Sequence, residues 1–380
     1  MQTKSKSIKD AGIDGVWFPP PTKSVSPQGY MPLNLYDLSS EYGSEEELKA
    51  CIDIFHNDDI DVYADVVLNH RCAEFQNEHG VYNVYGGPLA WDATAIVGND
   101  LNFQGKGNHK DFSFFNAAPN IDHSQEYVRN DLIAWMKWLK NCYGFDGFRF
   151  DFVTGFDGKY IEEYVVQTNS KLVIGEYWDS LEYSHDGQLE HNQDSHRQRI
   201  VNWIDQTGGK ATAFDMTLKG ILQTTFQNGG EYWRLKDSNN KIPSVIGWWG
   251  TNAVTFLDNH DTHCDSQNHW PFPNHYLIEG YAYILTHPGT PMIYWDHFMT
   301  PYLESPLSFL IAMRKEYDIG NDSKVEILQA DNCRYMAKID DKLIFVIGDK
   351  SNIPSNIIFE SKNVAICEIC INMINTAIKN

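Results

Sequence analysis

The sequence predicts an α/β protein of the (β/α)8 TIM-barrel type, with an inserted loop-rich subdomain and a small C-terminal antiparallel β domain. Short β-rich apolar runs alternate with stretches of helical pattern, which favours parallel strands covered by helices. One connection is too long for a single helix, and the pattern changes to closely spaced strands after Tyr317. The predicted parallel strands are residues 13–19, 62–70, 145–152, 172–178, 213–218, 253–260 and 291–295.

Local signals predict where several helices begin and end. Ser44 followed by three glutamates is a capping box that opens a helix. Ser124 is predicted to cap a second helix, which Gly144 closes because glycine readily adopts the left-handed conformation. Ser305 and Pro306 supply a cap and a first-turn proline for a third helix.

The domain boundaries follow from the long connection and from the change of pattern near the C-terminus. The segment after the second predicted strand is rich in glycine, asparagine, aspartate and aromatic residues, which is typical of a loop-rich insertion. Residues 325–329, 334–339 and 343–347, with Asp340-Asp341 as a turn, predict antiparallel strands. We expect a barrel domain from residues 1–69 and 123–318, an inserted subdomain from 70–122 and a C-terminal β domain from 319–380.

Charge limits the possible partners. The 380-residue chain has 51 acidic residues against 30 Lys and Arg, a net charge of −21, which disfavours nucleic acids and anionic membranes as partners. Neutral or cationic ligands and metal ions remain compatible with this charge, and we expect a monomer. No apolar segment follows the basic residues at the start, so no signal peptide is predicted, and secreted and cytoplasmic locations both stay open.

The cysteines give no sign of a metal centre. The seven residues are scattered along the chain, and only Cys367 and Cys370 form a closely spaced pair. No second such pair and no nearby histidines accompany them, so we interpret them as a non-metal pair. A reduced compartment and a secreted protein with few disulfides both fit this usage.

Charged residues lie at the carboxyl ends of the predicted strands, where a (β/α)8 barrel carries its active site. Strand periodicity puts Gly147, Arg149 and Asp151 on one face and three phenylalanines on the other. An adjacent guanidinium lowers the pKa of a carboxylic acid, so Arg149 would keep Asp151 ionised. An ionised carboxylate in a cleft is what a nucleophile toward a sugar carbon requires. A purely structural arginine–aspartate pair is the alternative.

A second carboxyl group closes the next predicted strand. Glu176 stands between apolar residues and the aromatic pair Tyr177 and Trp178. Apolar surroundings raise the pKa of a carboxylic acid, so Glu176 would stay protonated near neutral pH and donate a proton. Two carboxyl groups in contrasting environments are the arrangement that glycoside hydrolysis uses. The alternative is a glutamate that faces solvent.

A third acidic group follows the predicted strand at residues 253–260. His260 and Asp261 offer an imidazole and a carboxylate that can bind sugar hydroxyls. Asp261 would also stabilise the positive charge of an oxocarbenium-like transition state. The alternative interpretation is a polar loop after a buried strand.

Four segments with these residues resemble, in order and spacing, the signature segments of the α-amylase family. They are residues 65–70 (DVVLNH), 144–151 (GFDGFRFD), 175–178 (GEYW) and 256–261 (FLDNHD). Further segments, among them residues 28–32 (QGYMP) and 279–289 (EGYAYILTHPG), are similar to the plant-type members of that family. The resemblance covers roughly residues 11–348.

The resemblance implies endo-hydrolysis of α-1,4-glucosidic bonds in starch and related glucans, with retention of configuration. Asp151 then matches the nucleophile, Glu176 the general acid and base, and Asp261 the carboxylate that stabilises the transition state. The residues that match sugar-binding positions of the family are Tyr30, His70, Arg149, Trp178 and His260.

The resemblance also implies a structural calcium ion, between the barrel and the inserted subdomain. Asn69 and Asn120 match side-chain ligands, Ala118 and Gly155 match carbonyl ligands, and Asp111 is the best match for a second acidic ligand. Calcium takes six to eight oxygen ligands, which this set partly supplies. Asn120 stands where the plant-type pattern has aspartate, so we expect one ion, held more weakly than in that pattern.

Against the family pattern, the first strand of the barrel is expected to be missing, because only residues 1–11 precede the segment that matches the second strand. A barrel without one strand would have two open edges. Two alternatives to the hydrolase therefore stay open: a transglycosylating or isomerising relative with the same three carboxylates, and a catalytically impaired glucan-binding protein.

Overall fold

The computed structural model of the protein describes residues 4–266 and 268–369. These residues form two compact units, residues 4–178 with 202–213, and residues 179–201 with 214–369 apart from Gln267. The division into barrel, insertion and C-terminal domain stays a prediction, and Cys370 of the predicted non-metal pair lies outside the described residues. None of the helices in the described ranges is long and apolar enough to cross a bilayer.

Helices alternate with parallel strands, as the sequence predicts. Over the described residues the α-helices are α1 (Ser5–Asp10), α2 (Glu45–Asn57), α3 (Glu126–Trp138), α4 (Gly158–Thr168), α5 (Asp194–Gln206), α6 (Met216–Gln227), α7 (Ile246–Trp249), α8 (Leu277–Thr286), α9 (Trp295–Phe298) and α10 (Pro301–Glu316). The first eleven strands in chain order are β1 (Gly15–Phe18), β2 (Lys23–Ser24), β3 (Pro32–Asn34), β4 (Asp61–Val67), β5 (Phe75–Gln76), β6 (Tyr82–Val84), β7 (Gly147–Asp151), β8 (Val173–Gly175), β9 (Thr212–Phe214), β10 (Ala253–Thr255) and β11 (Thr290–Pro291).

Strands β1, β4, β7, β8 and β9 are hydrogen-bonded neighbours in that order, and β10 pairs in parallel with β11. Strand β7 is buried over its whole length and β4 over all but its first residue, as expected for strands covered on both faces. The register sets Asp65 beside Arg149 and Val67 beside Asp151. The charged residues inside these buried strands therefore lie side by side.

The helix signals are confirmed in part. Ser44 accepts a hydrogen bond from the Glu47 amide while the Glu47 carboxylate accepts one from Ser44, so the predicted capping box is present at α2. Gly144 closes the predicted second helix at a φ of 93°, after a π-helical turn. Ser124 does not cap that helix: its hydroxyl oxygen accepts a hydrogen bond from the Asn108 side chain instead of from a helix amide, and α3 begins at Glu126.

The predicted start of the third helix, with Ser305 as cap and Pro306 in the first turn, is wrong. Helix α10 begins at Pro301, five residues before Pro306, which lies inside the helix. Leu303 and Leu307 are both buried on either side of Pro306. Their packing outweighs the single backbone hydrogen bond that the proline removes.

An antiparallel sheet ends the described chain, and it confirms the predicted C-terminal β pattern. Its strands lie in the order β12 (Val325–Ala330), β13 (Arg334–Ile339), β14 (Leu343–Gly348), β16 (Val364–Glu368) and β15 (Ile357–Glu360). Asp340 and Asp341 adopt left-handed conformations and join β13 to β14 as the predicted tight turn. The last two strands of the described residues, β15 and β16, are not among the predicted strands.

The segment between β4 and α3 has little regular structure, as predicted. It contains the short β5–β6 ribbon and two 3₁₀ turns, Ala93–Ala95 and Leu101–Phe103. An isolated bridge joins Asn120, near the end of the segment, to His70 at the carboxyl end of β4. The segment therefore packs against the strand end where the sequence predicts chemistry.

Candidate active site

The carboxyl ends of β4, β7 and β8 hold one buried charge cluster. Arg149 is fully buried at the middle of β7. Its Nη1 atom lies 2.8 Å from Asp151 Oδ1 and 2.9 Å from Asp65 Oδ1, and its Nη2 atom lies 2.6 Å from Glu176 Oε1. One guanidinium therefore holds three carboxyl groups from three neighbouring strands.

Asp65 is the member of this cluster to which sequence reasoning assigned no role. Its Oδ2 atom accepts hydrogen bonds from the Tyr30 hydroxyl at 2.7 Å and from the Trp17 indole at 3.1 Å. The Arg149 guanidinium also lies over the Trp17 ring, 4.9 Å from its centroid. Asp65 thus connects Trp17 and Tyr30 to Arg149. An acidic residue inside an apolar strand run is the signal that could have found it.

Burial and charge together set the protonation of this cluster. Burial lowers the pKa of Arg149, but Asp65, Glu176 and Asp151 outweigh it and raise that pKa well above its usual value. Burial, with the Asp65 carboxylate, raises the pKa of Tyr30 well above its usual value. Arg149 therefore stays charged and Tyr30 stays a neutral hydrogen-bond donor.

Glu176 directly follows β8 and is fixed by the backbone around it. Its amide donates to the Phe150 carbonyl at 2.9 Å, and its Oε2 atom accepts from the Phe152 amide at 3.3 Å. The preceding residue must be glycine, because a Cβ atom on Gly175 would lie 2.1 Å from the Trp203 ring. Glu176 therefore has the Arg149 guanidinium beside it, in addition to the aromatic residues Tyr177 and Trp178 that follow it in sequence.

His70 lies just beyond the end of β4 and is buried. Its Nε2 atom is 2.9 Å from the Tyr30 carbonyl, and its ring stacks on Phe115 with the centroids 3.8 Å apart. Burial lowers the pKa of His70, although the Asp151 carboxylate opposes this effect. A neutral His70 that donates from Nε2 to the Tyr30 carbonyl fits this environment. Trp178, also predicted to bind substrate, is half-buried at the end of the first unit.

The second unit presents His260 and Asp261 on a turn after β10. The Asn259 side chain accepts from the amides of Asp261 and Thr262, at 2.9 and 3.0 Å, and thereby shapes the turn. The His260 imidazole lies 3.2 Å from the Asp261 carboxylate, and both side chains are partly exposed. The turn therefore offers both polar groups to solvent and to a ligand.

A buried lysine–aspartate pair supports this turn. Lys219 Nζ lies 3.0 Å from Asp258 Oδ1, which also accepts from the Thr262 hydroxyl at 2.8 Å. Lys219 donates to the Trp270 carbonyl as well. Burial lowers the pKa of Lys219 to about 8, against the effect of Asp258. The sequence analysis did not predict this pair, because Lys219 and Asp258 are 39 positions apart.

The residues matched to calcium ligands lie together in the first unit, with one exception. Asn69, Asn120 and the Gly155 carbonyl surround the ammonium of Lys110, and the Ala118 carbonyl lies 3.4 Å from Asn120 Nδ2. Asp111 is exposed, and the acidic residue bonded to Asn120 is Asp100. Because the ammonium lies among the oxygens that would bind the ion, these residues do not fit calcium.

Known proteins resemble the chain over most of its length. A model of the α-amylase catalytic domain matches residues 2–94. Chloroplastic α-amylase 3 of Arabidopsis thaliana is 48% identical over 94% of this chain, which spans 40% of that protein. Probable α-amylase 2 of the same plant is 44% identical over 93% of this chain and 85% of that protein.

The fold agrees as well. A crystal structure of an Anoxybacillus α-amylase superposes with a TM-score of 0.66, covering 97% of this chain and 86% of that one at 15% identity. The predicted fold class, a (β/α)8-type barrel with a C-terminal antiparallel β domain, is therefore confirmed. With two plant relatives at 44% and 48% identity over most of its length, the chain belongs to the α-amylase family of glycoside hydrolases.

Proposed function

We propose that the chain hydrolyses internal α-1,4-glucosidic bonds of starch and related glucans by a retaining double-displacement mechanism. The observation that carries this proposal is the pairing of Asp151 and Glu176 through Arg149, with contacts of 2.8 and 2.6 Å. Two carboxyl groups on one guanidinium are close neighbours. Retaining glycosidases hold their carboxyl groups about 5–5.5 Å apart, whereas inverting enzymes leave room for a water molecule.

In the first step, the Asp151 carboxylate attacks the anomeric carbon while Glu176 protonates the departing glycosidic oxygen. The Arg149 guanidinium contacts the Asp151 carboxylate and orients it for this attack. A covalent glycosyl ester on Asp151 results. In the second step, Glu176 removes a proton from water, which attacks the same carbon, releases the sugar and restores Asp151.

The remaining predicted residues bind the sugar in this proposal. His260 donates a hydrogen bond to a sugar hydroxyl, and His70, whose Nε2–H donates to the Tyr30 carbonyl, contacts the sugar with its ring. Tyr30 packs against the face of the sugar ring and Trp178 contacts neighbouring glucose units, because sugars present apolar C–H faces to aromatic rings. Asp261 supplies negative charge to the oxocarbenium-like transition state.

A neutral glucan also fits the charge of the chain, since its net charge of −21 would repel an anionic polymer. The transglycosylating relative and the impaired glucan-binding protein are not favoured, because the two plant relatives at 48% and 44% identity over 94% and 93% of the chain carry α-amylase names.

The test is the release of reducing ends from soluble starch, followed together with the loss of iodine staining. We expect staining to fall early, as internal cleavage requires, and the α-anomer to appear first by proton NMR. Asp151→Asn should lower kcat by at least about 10⁴-fold, while Asp53→Asn on the exposed face of α2 should match the wild type. Wild-type activity in Asp151→Asn, or a first product of β configuration, would refute the mechanism.

A further inference from the structure

The ammonium of Lys110 is buried among three neutral oxygens. Its Nζ atom lies 3.0 Å from Asn120 Oδ1, 3.0 Å from the Gly155 carbonyl and 3.2 Å from Asn69 Oδ1. Only 9% of the residue is exposed. An ammonium has three N–H donors, so these three acceptors satisfy it completely.

The residues around Lys110 hold its side chain in place and orient oxygen atoms toward its ammonium. Asn99 exchanges two hydrogen bonds with the backbone of Lys110, at 2.8 and 3.1 Å, and fixes the base of the side chain. Asp100 accepts from the side-chain amide of Asn120 at 2.8 Å, which orients the Asn120 oxygen toward Lys110. The negative charge of Asp100, on the far side of Asn120, thus offsets the positive charge of Lys110.

A divalent ion would find a poor site here. Calcium takes six to eight oxygens at about 2.3–2.6 Å and binds more tightly as the number of carboxylate ligands rises. Asn120 and Asn69 contribute neutral amide oxygens, and Asp111, the expected acidic ligand, is exposed. The side chain of Lys110 would have to leave this space, and its charge would repel the ion.

We propose that the Lys110 ammonium is the structural cation of this protein, at the position where the family pattern predicts calcium. The cation joins three parts of the first unit: the end of β4 through Asn69, the turn after β7 through Gly155, and the inserted segment through Asn120 and its own backbone. This region therefore holds its structure without a divalent ion.

The first experiment measures the thermal unfolding midpoint of the wild type in a chelator and in excess calcium. We expect the same midpoint in both. Lys110→Met keeps the length of the side chain but removes the charge and all three hydrogen bonds, so it should lower the midpoint by about 5–10 °C. Lys106→Met, at an exposed lysine of the same segment, is the matched control and should leave the midpoint unchanged.

The second experiment rebuilds the acidic site. The double substitution Lys110→Gly with Asn120→Asp removes the ammonium and brings a second carboxylate beside Asp100. Without a counter-ion these carboxylates repel each other, so the double variant should unfold at a higher temperature in calcium than in chelator. Calcium titration calorimetry should show binding to the double variant and no binding at this site in the wild type.

Two results would overturn the proposal. One is that Lys110→Met unfolds at the same temperature as the wild type, which would mean that the ammonium contributes nothing. The other is that chelator lowers the unfolding midpoint of the wild type but not that of Asn69→Ala. Because unfolding midpoints do not depend on turnover, failure here leaves the proposed hydrolysis untouched, and failure of the starch assay leaves Lys110 untouched.

Discussion

Arg149 and Asp65 lie opposite each other on neighbouring parallel strands, both fully buried, with Nη1 at 2.9 and 3.1 Å from the two carboxylate oxygens. Asp65 holds the guanidinium in place, and the same guanidinium contacts Asp151 through Nη1 and Glu176 through Nη2. An arginine fixed in this way acts on both proposed catalytic groups at once.

Removing the charge of Asp65 should loosen this arrangement. Asp65→Asn keeps an acceptor oxygen but loses the buried ion pair, so we expect a loss of about 1–3 kcal/mol in the free energy of unfolding. Urea unfolding measures it. Asp61→Asn, on the same strand but paired with the exposed Lys171, should cost less than about 1 kcal/mol. Equal losses in the two variants would contradict the assigned role of Asp65.

Lysine should not replace Arg149. The planar guanidinium reaches three carboxyl groups through two nitrogens, whereas an ammonium is a point charge that cannot match that geometry. Arg149→Lys should therefore lower kcat/KM by about 10²-fold or more, with a smaller effect on KM than on kcat. Steady-state kinetics on a maltooligosaccharide checks this split. A variant with unchanged kcat would show that the charge alone is sufficient.

Glycine at position 175 should be required by its neighbour. Gly175→Ala would place a methyl group 2.1 Å from the Trp203 ring, which should cost about 1–3 kcal/mol of stability and displace Glu176. The control is the double variant with Trp203→Leu, which makes room for the methyl group. Unfolding free energies should show that the two substitutions together cost less than their sum. Simple additivity would mean that the contact with Trp203 is not the cause.

The stability of the protein should fall in mild acid. Burial lowers the pKa of His287 to about 3, helped by Arg314 and opposed by the Tyr283 carbonyl. An unfolded histidine titrates near about pH 6.5, so below that pH the unfolded chain binds a proton that the folded chain excludes. His287 alone should remove about 1.4 kcal/mol for each pH unit below its unfolded pKa, until its folded pKa is reached.

Urea unfolding from neutral pH to about pH 5 tests this effect. His287→Gln should be less stable at neutral pH, because the contacts with Tyr283 and Tyr335 are disturbed, but its stability should depend less steeply on pH. A variant with the same slope as the wild type would exclude His287 as a source of the acid sensitivity.

Local patterns predicted most elements of the fold because their causes are local. The capping box at Ser44 and the turn at Asp340-Asp341 depend on residues a few positions apart, and both are present. Ser124 failed as a cap because its hydroxyl oxygen accepts from the side chain of Asn108, which the fold brings next to it. Competition between such neighbours depends on geometry that a pattern does not contain.

The candidate site was predictable only where one segment carries it. The contact between Arg149 and Asp151 joins residues two positions apart on one strand face, and it was expected. Asp65 and Lys110 were not given roles, since their partners lie up to 84 and 45 positions away. Strand register and loop packing, rather than residue type, bring those groups together.

The sharing of one guanidinium among three carboxyl groups has a consequence for inhibitors. Even with one of the three protonated, negative charge exceeds positive charge at the ends of these strands. An intact glucan brings no charge to offset this excess, but a sugar ring that becomes cationic does. Imino sugars that are protonated at neutral pH should therefore bind at these strand ends more tightly than uncharged sugars of the same shape.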